Sequence, residues 1–509
     1  MMMAQRSVPI RRLLGYLHRV RSDSLVRNSL YLMASTVVTA GLGYVFWALA
    51  AHVFTHQQVG IGSAVISLCS TVSLLTYLGP SAMLIERLPA SERTSEWTTI
   101  LVRVCLATAG VTAVATAAVV PVLLASRHYH SFFSAAPPIL VAVLGAAACT
   151  LVNLLGAAFI ASRRAGRLLS MQTLVSAAKL VLVLPLAIAG VGALGLVEAW
   201  VASAVLGIAV GATWLVPRMG LGRRPGPRPR RRAPVTPDLR LRQHRRPRHR
   251  RPLASPSVDS ARHLLGQHLT SVGATLIPLV LPVLVVIRLG VTQNAYFYIT
   301  EMMGAAFFMV SPAVAQAVFA EGVRARSDLG SVVVKALRVI AVLLAPAVVV
   351  MIVGGKFILG LFGASYADAG YGLLVLLAIS ALPDAVSNVA VVVFRVTHRL
   401  GYSTALNLGI LVVTLVGAWV LMPRLGIAGV GVAWLGAQTA GAIASLPAYA
   451  QIRQPVILSG LAAETQPGAG IAALAHQARL QSPDRLGGPL PGAVKPAVCS
   501  TTRQRGSSR

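Results

Sequence analysis

Five ionisable side chains, Arg103, Lys179, Glu198, Glu301 and Asp384, fall inside apolar stretches of the chain. Charged groups are costly in hydrocarbon, so they face a partner or a wet cavity and mark ion and substrate pathways. Asp384 stands in "SALPDAVSN", directly after Pro383, which removes one helical hydrogen bond and frees a carbonyl oxygen. The proline is expected to distort its helix, and a carboxylate beside an exposed carbonyl suits a proton or a small cation. Glu301 in "YITEMMG" and Glu198 complete the candidate ion-coupling set. Arg103 and Lys179 are the candidates for holding an anionic group. The competing reading is structural. Glu301 and Asp384 would then pair with Arg288 or Lys179, and Arg103 would reach back to the membrane interface. Asn153, Asn388 and Asn407 suit hydrogen bonds to a polar cargo or between helices.

The elements that hold these residues follow from composition. Of 509 residues, 56% are hydrophobic and 12% charged, against about 25% charged in a soluble domain. With a mean hydropathy of +0.73, most of this chain needs lipid as its solvent. A crossing helix takes about 20 apolar residues. Twelve runs qualify: 30–53, 60–84, 99–124, 136–161, 168–189 and 193–216, then 264–287, 296–320, 332–354, 370–394, 402–422 and 426–450. Pro278 and Pro282 make the seventh the least regular. The fold expected is an all-α integral membrane protein of about twelve spans. The first apolar run is of span length and continues into others, so no cleaved signal peptide is expected.

A net charge of +31 points to nucleic acid in a soluble protein but to loop asymmetry in a membrane protein. Arg6, Arg11, Arg12, Arg19, Arg21, Arg27, Arg87, Arg93, Arg163, Arg164, Arg167, Arg324, Arg326, Arg395 and Arg399 fall on one side of the spans. Arg127, Arg288, Lys356 and Arg424 fall on the other. That bias places both termini in the cytoplasm and explains the charge without nucleic acid, which is not expected as a partner. On the cytoplasmic side also lies "GRRPGPRPRRRAPVTPDLRLRQHRRPRHRRP", with thirteen arginines and seven prolines between Gly222 and Pro252. Like charges and prolines forbid a packed core, so this segment reads as a disordered linker or as a surface for anionic lipids. The division expected is a basic N-terminus (1–27), a six-span N-lobe (28–217), the Arg/Pro loop (218–262), a six-span C-lobe (263–452) and a disordered tail (453–509).

The two lobes repeat each other. "FIASRRAGRLLSMQTLVSAAKLVLVLPLAIAGVGALGLVEAW" aligns with "VFRVTHRLGYSTALNLGILVVTLVGAWVLMPRLGIAGVGVAW". Arg164 meets Arg399, Gly166 meets Gly401 and Trp200 meets Trp434, an offset of 234 or 235. An even number of spans per repeat keeps both halves in one orientation, about an axis along the membrane normal. Duplication of this kind is common in transporters and uncommon in membrane enzymes.

Two stretches carry a family resemblance. Residues 27–79, from "RNSLYLMASTVVTAGLGYVFWALAAHVF" onward, resemble the opening of the polysaccharide-biosynthesis flippases of the O-antigen and teichoic-acid export type. "AYFYITEMMGAAFFMVSPAVAQAVFAEG" resembles their eighth span. Their superfamily also holds the multidrug/toxin extruders and the peptidoglycan-precursor flippases. The resemblance covers roughly residues 27–450, although the long polar loop between the lobes departs from the family pattern. It implies alternating-access transfer of a polyprenyl-diphosphate-linked oligosaccharide to the outer leaflet of the bacterial cytoplasmic membrane, with no cofactor. Protons or sodium ions would be the coupling ions, and glycan-assembly enzymes would be possible partners. Arg103 and Lys179 would then bind the diphosphate, Arg27 and Arg87 would form the cytoplasmic rim, and Asn153 would contact the sugar. A cation-coupled drug exporter is the alternative.

Other matches carry less. "GVGALG" (190–195) lacks a preceding strand and "SAAK" (176–179) lacks its companion motifs, so neither a dinucleotide nor an acyl-enzyme is expected. Cys69, Cys105, Cys149 and Cys499 have no metal-ligand spacing. The outer loops are too short for a glycosyltransferase or polymerase site, and no catalytic residue is assigned.

Overall fold

The computed structural model describes residues 24–91, 96–215, 258–312, 314–315, 329–397 and 399–464. Most of the Arg/Pro loop, the first 23 residues and the chain beyond Glu464 lie outside them. Residues up to Ile452 form one compact unit.

The chain is all-α. The N-lobe comprises α1 (Ser24–Val53), α2 (His56–Ser91), α3 (Glu96–Leu124), the short α4 (Arg127–Phe133), α5 (Ala136–Ala161), α6 (Ala165–Ile188) and α7 (Ala193–Leu215). The C-lobe comprises α8 (Val258–Thr275), α9 (Ile277–Leu289), α10 (Val291–Ala305), a 3₁₀ turn (Phe307–Met309), α11 (Leu329–Gly360), α12 (Ala364–Val396), α13 (Leu400–Leu425) and α14 (Ile427–Glu464). Helix α8 thus begins ahead of residue 263, and α14 runs past residue 452, the two limits expected for the C-lobe.

Among the described residues, ten helices are long and apolar enough to cross a membrane, and an eleventh span is bent by 48° between Thr275 and Ile277. Pro278 starts the new helix at that bend, and the proline-rich seventh span breaks there. By contrast α12 is continuous through Pro383. One missing hydrogen bond does not end a helix whose neighbours hold both halves. The expected span 296–320 is described only in part.

The lobes repeat down to backbone detail. Arg164 N–H donates to the Phe159 carbonyl (2.9 Å) and Arg399 N–H to that of Phe394 (2.7 Å), 235 residues apart in each case. Gly192 and Gly426, offset by 234, have φ of 69° and 58°, a left-handed region that favours glycine. Helix pairing repeats as well: α2 on α5 and α1 on α6 in one half, α10 on α12 and α8 on α13 in the other.

Polarity is inverted as lipid requires. Val353 (81% exposed), Ile188 (86%) and Phe357 (76%) face outward, while Thr112, Thr150, Ser380 and Asp384 are buried.

The lobes meet along a seam between the first half of α2 and α9–α10. At Gly60 a Cβ would overlap the Val291 carbonyl, so only glycine lets these helices cross so closely. Asn294, 234 residues on, donates its amide to the Gly60 carbonyl (2.7 Å) and to Ser63 Oγ (3.1 Å). His56 Nε2 hydrogen-bonds Ser365 Oγ (2.9 Å), Trp47 packs on Tyr298 at 4.6 Å, Tyr44 donates to the Met302 carbonyl (3.2 Å) and Thr71 to that of Leu279 (3.0 Å). The far half of α2 turns away and buries Leu84 and Leu88 in the N-lobe's own core with Trp97 and Phe159.

Candidate functional site: a carboxylate cavity in the C-lobe

Helix α12 builds the site with one stripe. Asp384, Asn388, Val391 and Arg395 recur at i, i+4, i+7 and i+11, so all four face one side of the helix. That side closes on the α8–α9 bend, on α10 and on α13–α14 around a cavity of about 370 Å³. Glu301 enters it from α10, Asn407 from α13, and Trp434 and Gln438 from α14.

Asp384 is held by neutral donors from three elements. Ser311 Oγ donates to Oδ2 (2.5 Å), Asn388 Nδ2 to the same oxygen (2.9 Å) and Gln438 Nε2 to Oδ1 (3.2 Å). Hydrogen bonds to a charged acceptor are short and strong, and these fix the carboxylate before any ligand arrives. Glu301 differs. It is 7% exposed, and no hydrogen bond reaches its carboxylate from any described residue. A buried carboxylate in that state costs several kcal/mol unless a proton or a cation neutralises it. Its helix is also the seam helix. Asn294, Tyr298 and Met302 meet the N-lobe along one stripe of α10, while Glu301 and Ala305 face the cavity.

The structural alternatives for these acids are not what the fold adopts. Arg288 lies over the Trp419 ring at 4.9 Å and Lys179 over Phe46 at 5.8 Å. Neither pairs with Glu301 or Asp384. Asn407 proves interhelical, donating to the Thr270 carbonyl at 3.1 Å.

The remaining expected residues lie apart from the cavity. Glu198 sits in the opening turns of α7 in the N-lobe. Lys179 is half-buried on α6, and no described carboxylate pairs with it. Asn153, on α5, donates to Cys149 Sγ (3.6 Å). Arg103 is exposed on α3, which packs on α2 and α5, whereas α6 packs on α1 and α7. Arg87 is exposed near the end of α2. Arg27 lies in the first turn of α1, and its side chain is outside the described residues.

Sequence reading missed Ser311, Gln438, Trp434 and Arg395 as parts of this site. Arg395 counted only as a loop charge, yet its helical register with Asn388 and Val391, seven and four residues before it, was there to be read. Ser311, Gln438 and Trp434 arrive from other helices and carry no local signal.

No family model and no curated protein matches the chain. Solved structures do. A multidrug resistance MATE family transporter of the MOP superfamily is similar both in its inward-facing conformation (TM-score 0.54, 17% identity, covering 86% of this chain and 96% of that one) and in its outward-facing conformation (TM-score 0.53, 16%, covering 84% and 95%). A MOP superfamily transporter from Pyrococcus furiosus, described by the reverse polarity of its binding pocket, is similar at a TM-score of 0.52 and 16% identity, covering 84% and 95%. At these identities the likeness is one of fold: twelve helices in two lobes, shared with transporters.

Proposed function

We propose that the chain is a cation-coupled exporter working by alternating access, with Glu301 and Asp384 as its coupling acids. The observation that carries this is Glu301, 7% exposed and reached by no donor among the described residues, lining one cavity with a preorganised Asp384. Two lobes joined at one end and a coupling site next to that seam are what alternating access requires. Relatives of the same fold described as multidrug transporters, solved in inward- and outward-facing conformations, support it. The setting proposed is the bacterial cytoplasmic membrane with both termini inside, from the arginine bias, and the Arg/Pro loop would lie against anionic lipid. In proteoliposomes, efflux of an organic cation should follow an imposed proton or sodium gradient. Glu301→Gln should abolish that dependence, and undiminished gradient-driven efflux in the variant would sink the proposal.

A second reading, flipping of a polyprenyl-diphosphate-linked oligosaccharide, is favoured by Lys179, a half-buried cation with no described acid beside it. Its support is the resemblance of residues 27–79 and 295–322. Deleting the gene and finding assembled lipid-linked oligosaccharide accumulated on the inner leaflet would favour it over the exporter. Unchanged lipids with new sensitivity to cationic compounds would favour the exporter.

A further inference from the structure

The cavity holds more than two acids. Buried polar atoms without a hydrogen-bond partner are rare, and each one needs an explanation. Three with no partner among the described residues line this one space: Arg395 Nε, Trp434 Nε1 and Gln438 Oε1. Trp434 and Gln438 are 5% and 6% exposed, one helical turn apart on α14. Gln438 donates its amide Nε2–H to Asp384, which leaves its oxygen to accept from something else. Trp434, stacked on Phe308 at 5.2 Å, presents its indole N–H. No described residue hydrogen-bonds or ion-pairs with the Arg395 side chain.

These atoms are arranged by sign. Arg395 is eleven residues beyond Asp384 on α12, about 16 Å of helix rise at 1.5 Å per residue. Arg395 therefore lines the cavity at the other end from Asp384, on the same face of α12. Apolar surface lies between the two ends: Val391 and Val392 from α12, Ile277, Phe308 and Ile410 from its neighbours. A bare organic cation would satisfy Glu301 and leave Arg395 and Trp434 unmatched. The repeat underlines this. At the 235 offset Ile160 stands in the place of Arg395, and at 234 Ala204 stands in that of Gln438, so the N-lobe lacks both groups.

We infer that the cavity takes a zwitterionic amphiphile: an ammonium group against Glu301 and Gln438, an apolar middle along the valines, and an anionic end on Arg395. The inference rests on the exporter reading and names the class of its cargo. A volume of about 370 Å³ fits a small molecule of this kind.

The test uses the full chain in nanodiscs and calorimetric titration of three probes of equal chain length: an ω-amino alkanoate, the alkylammonium and the alkanoate. The zwitterion should bind about tenfold tighter than either single-charge probe, the worth of one charged hydrogen bond. Arg395→Gln should remove that advantage without lowering affinity for the cation, and Arg395→Lys should restore part of it. Glu301→Gln should weaken the cation and the zwitterion alike. Equal affinity for cation and zwitterion in the native chain would overturn the inference and leave the cation-exporter reading standing. Binding of none of the three would remove both. An Arg395→Gln variant that loses all three probes equally would show a structural role and also overturn it.

Discussion

The two lobes place the same amide against different partners. In the C-lobe Asn388 donates to Asp384 at 2.9 Å, and 235 residues earlier Asn153 donates to Cys149 at 3.6 Å. The two halves share the helix, its register and the amide, and differ at one position, an acid in the C-lobe and a thiol in the N-lobe. Around Asp384 the C-lobe gathers Gln438 and a second buried acid. Around Cys149 the N-lobe has Ala204 in the place of Gln438, and a closed hydroxyl chain of Thr76, Thr112, Thr150 and Ser73 with contacts of 2.7–3.1 Å. Those hydroxyls satisfy one another and need no ligand. Glu301 in the C-lobe is satisfied by nothing described. A scaffold can thus be symmetric while its chemistry is confined to one half.

The sharpest way to break this comparison is to break the joint between the halves. Gly60→Leu drives a side chain into the α10 backbone, overpacking that costs about 3 kcal/mol or more in the joined arrangement. Cysteines replacing His56 and Ser365, whose side chains touch in the native chain, should then cross-link at least about a hundredfold more slowly. Next comes the diverged position itself. Asp384→Asn keeps the shape but removes the charge, worth about 2–3 kcal/mol in charge-assisted bonds, and gradient-driven efflux should fall roughly thirtyfold or more. Cys149→Ser at the equivalent site should change efflux less than twofold, about 0.4 kcal/mol. Equal losses would erase the distinction between the lobes.

Smaller effects refine it. Gln438→Ala leaves Asp384 Oδ1 without its donor and should lower stability by about 1–3 kcal/mol, read as a lower midpoint of thermal unfolding. Lys179→Met removes a contact worth about 0.5–2 kcal/mol at most and also a half-buried cation that no described acid neutralises, so the two effects should nearly cancel. A large loss of transport in Lys179→Met with stability intact would instead favour the anionic, lipid-linked cargo.

Much of this architecture was legible in the residues. Span length and apolarity gave the helices, and Pro278 announced the bend in the seventh. The 234–235 offset gave the repeat, which Gly192, Gly426, Phe159 and Phe394 then confirm in the backbone. Glu301 and Asp384 were found because a buried acid is conspicuous in an apolar run. Their meeting in one cavity was not legible, because it depends on how α10 and α12 rotate about their axes. Glu198, in the N-lobe as its span implied, was grouped with the other two acids on apolarity alone, since a local apolar window does not say whether a residue faces a cavity. Gln438 and Ser311 are unremarkable polar residues until packing brings them to Asp384.

If Glu301 holds the coupling ion, binding of an organic cation must displace that ion. The purified chain in weakly buffered solution, given an organic cation, should release protons in step with binding, or release bound sodium in their stead. Cys149→Ser and Lys179→Met should do the same, and Glu301→Gln should bind without any ion exchange. If Glu301→Gln exchanges ions as the native chain does, the coupling site lies elsewhere and the account fails.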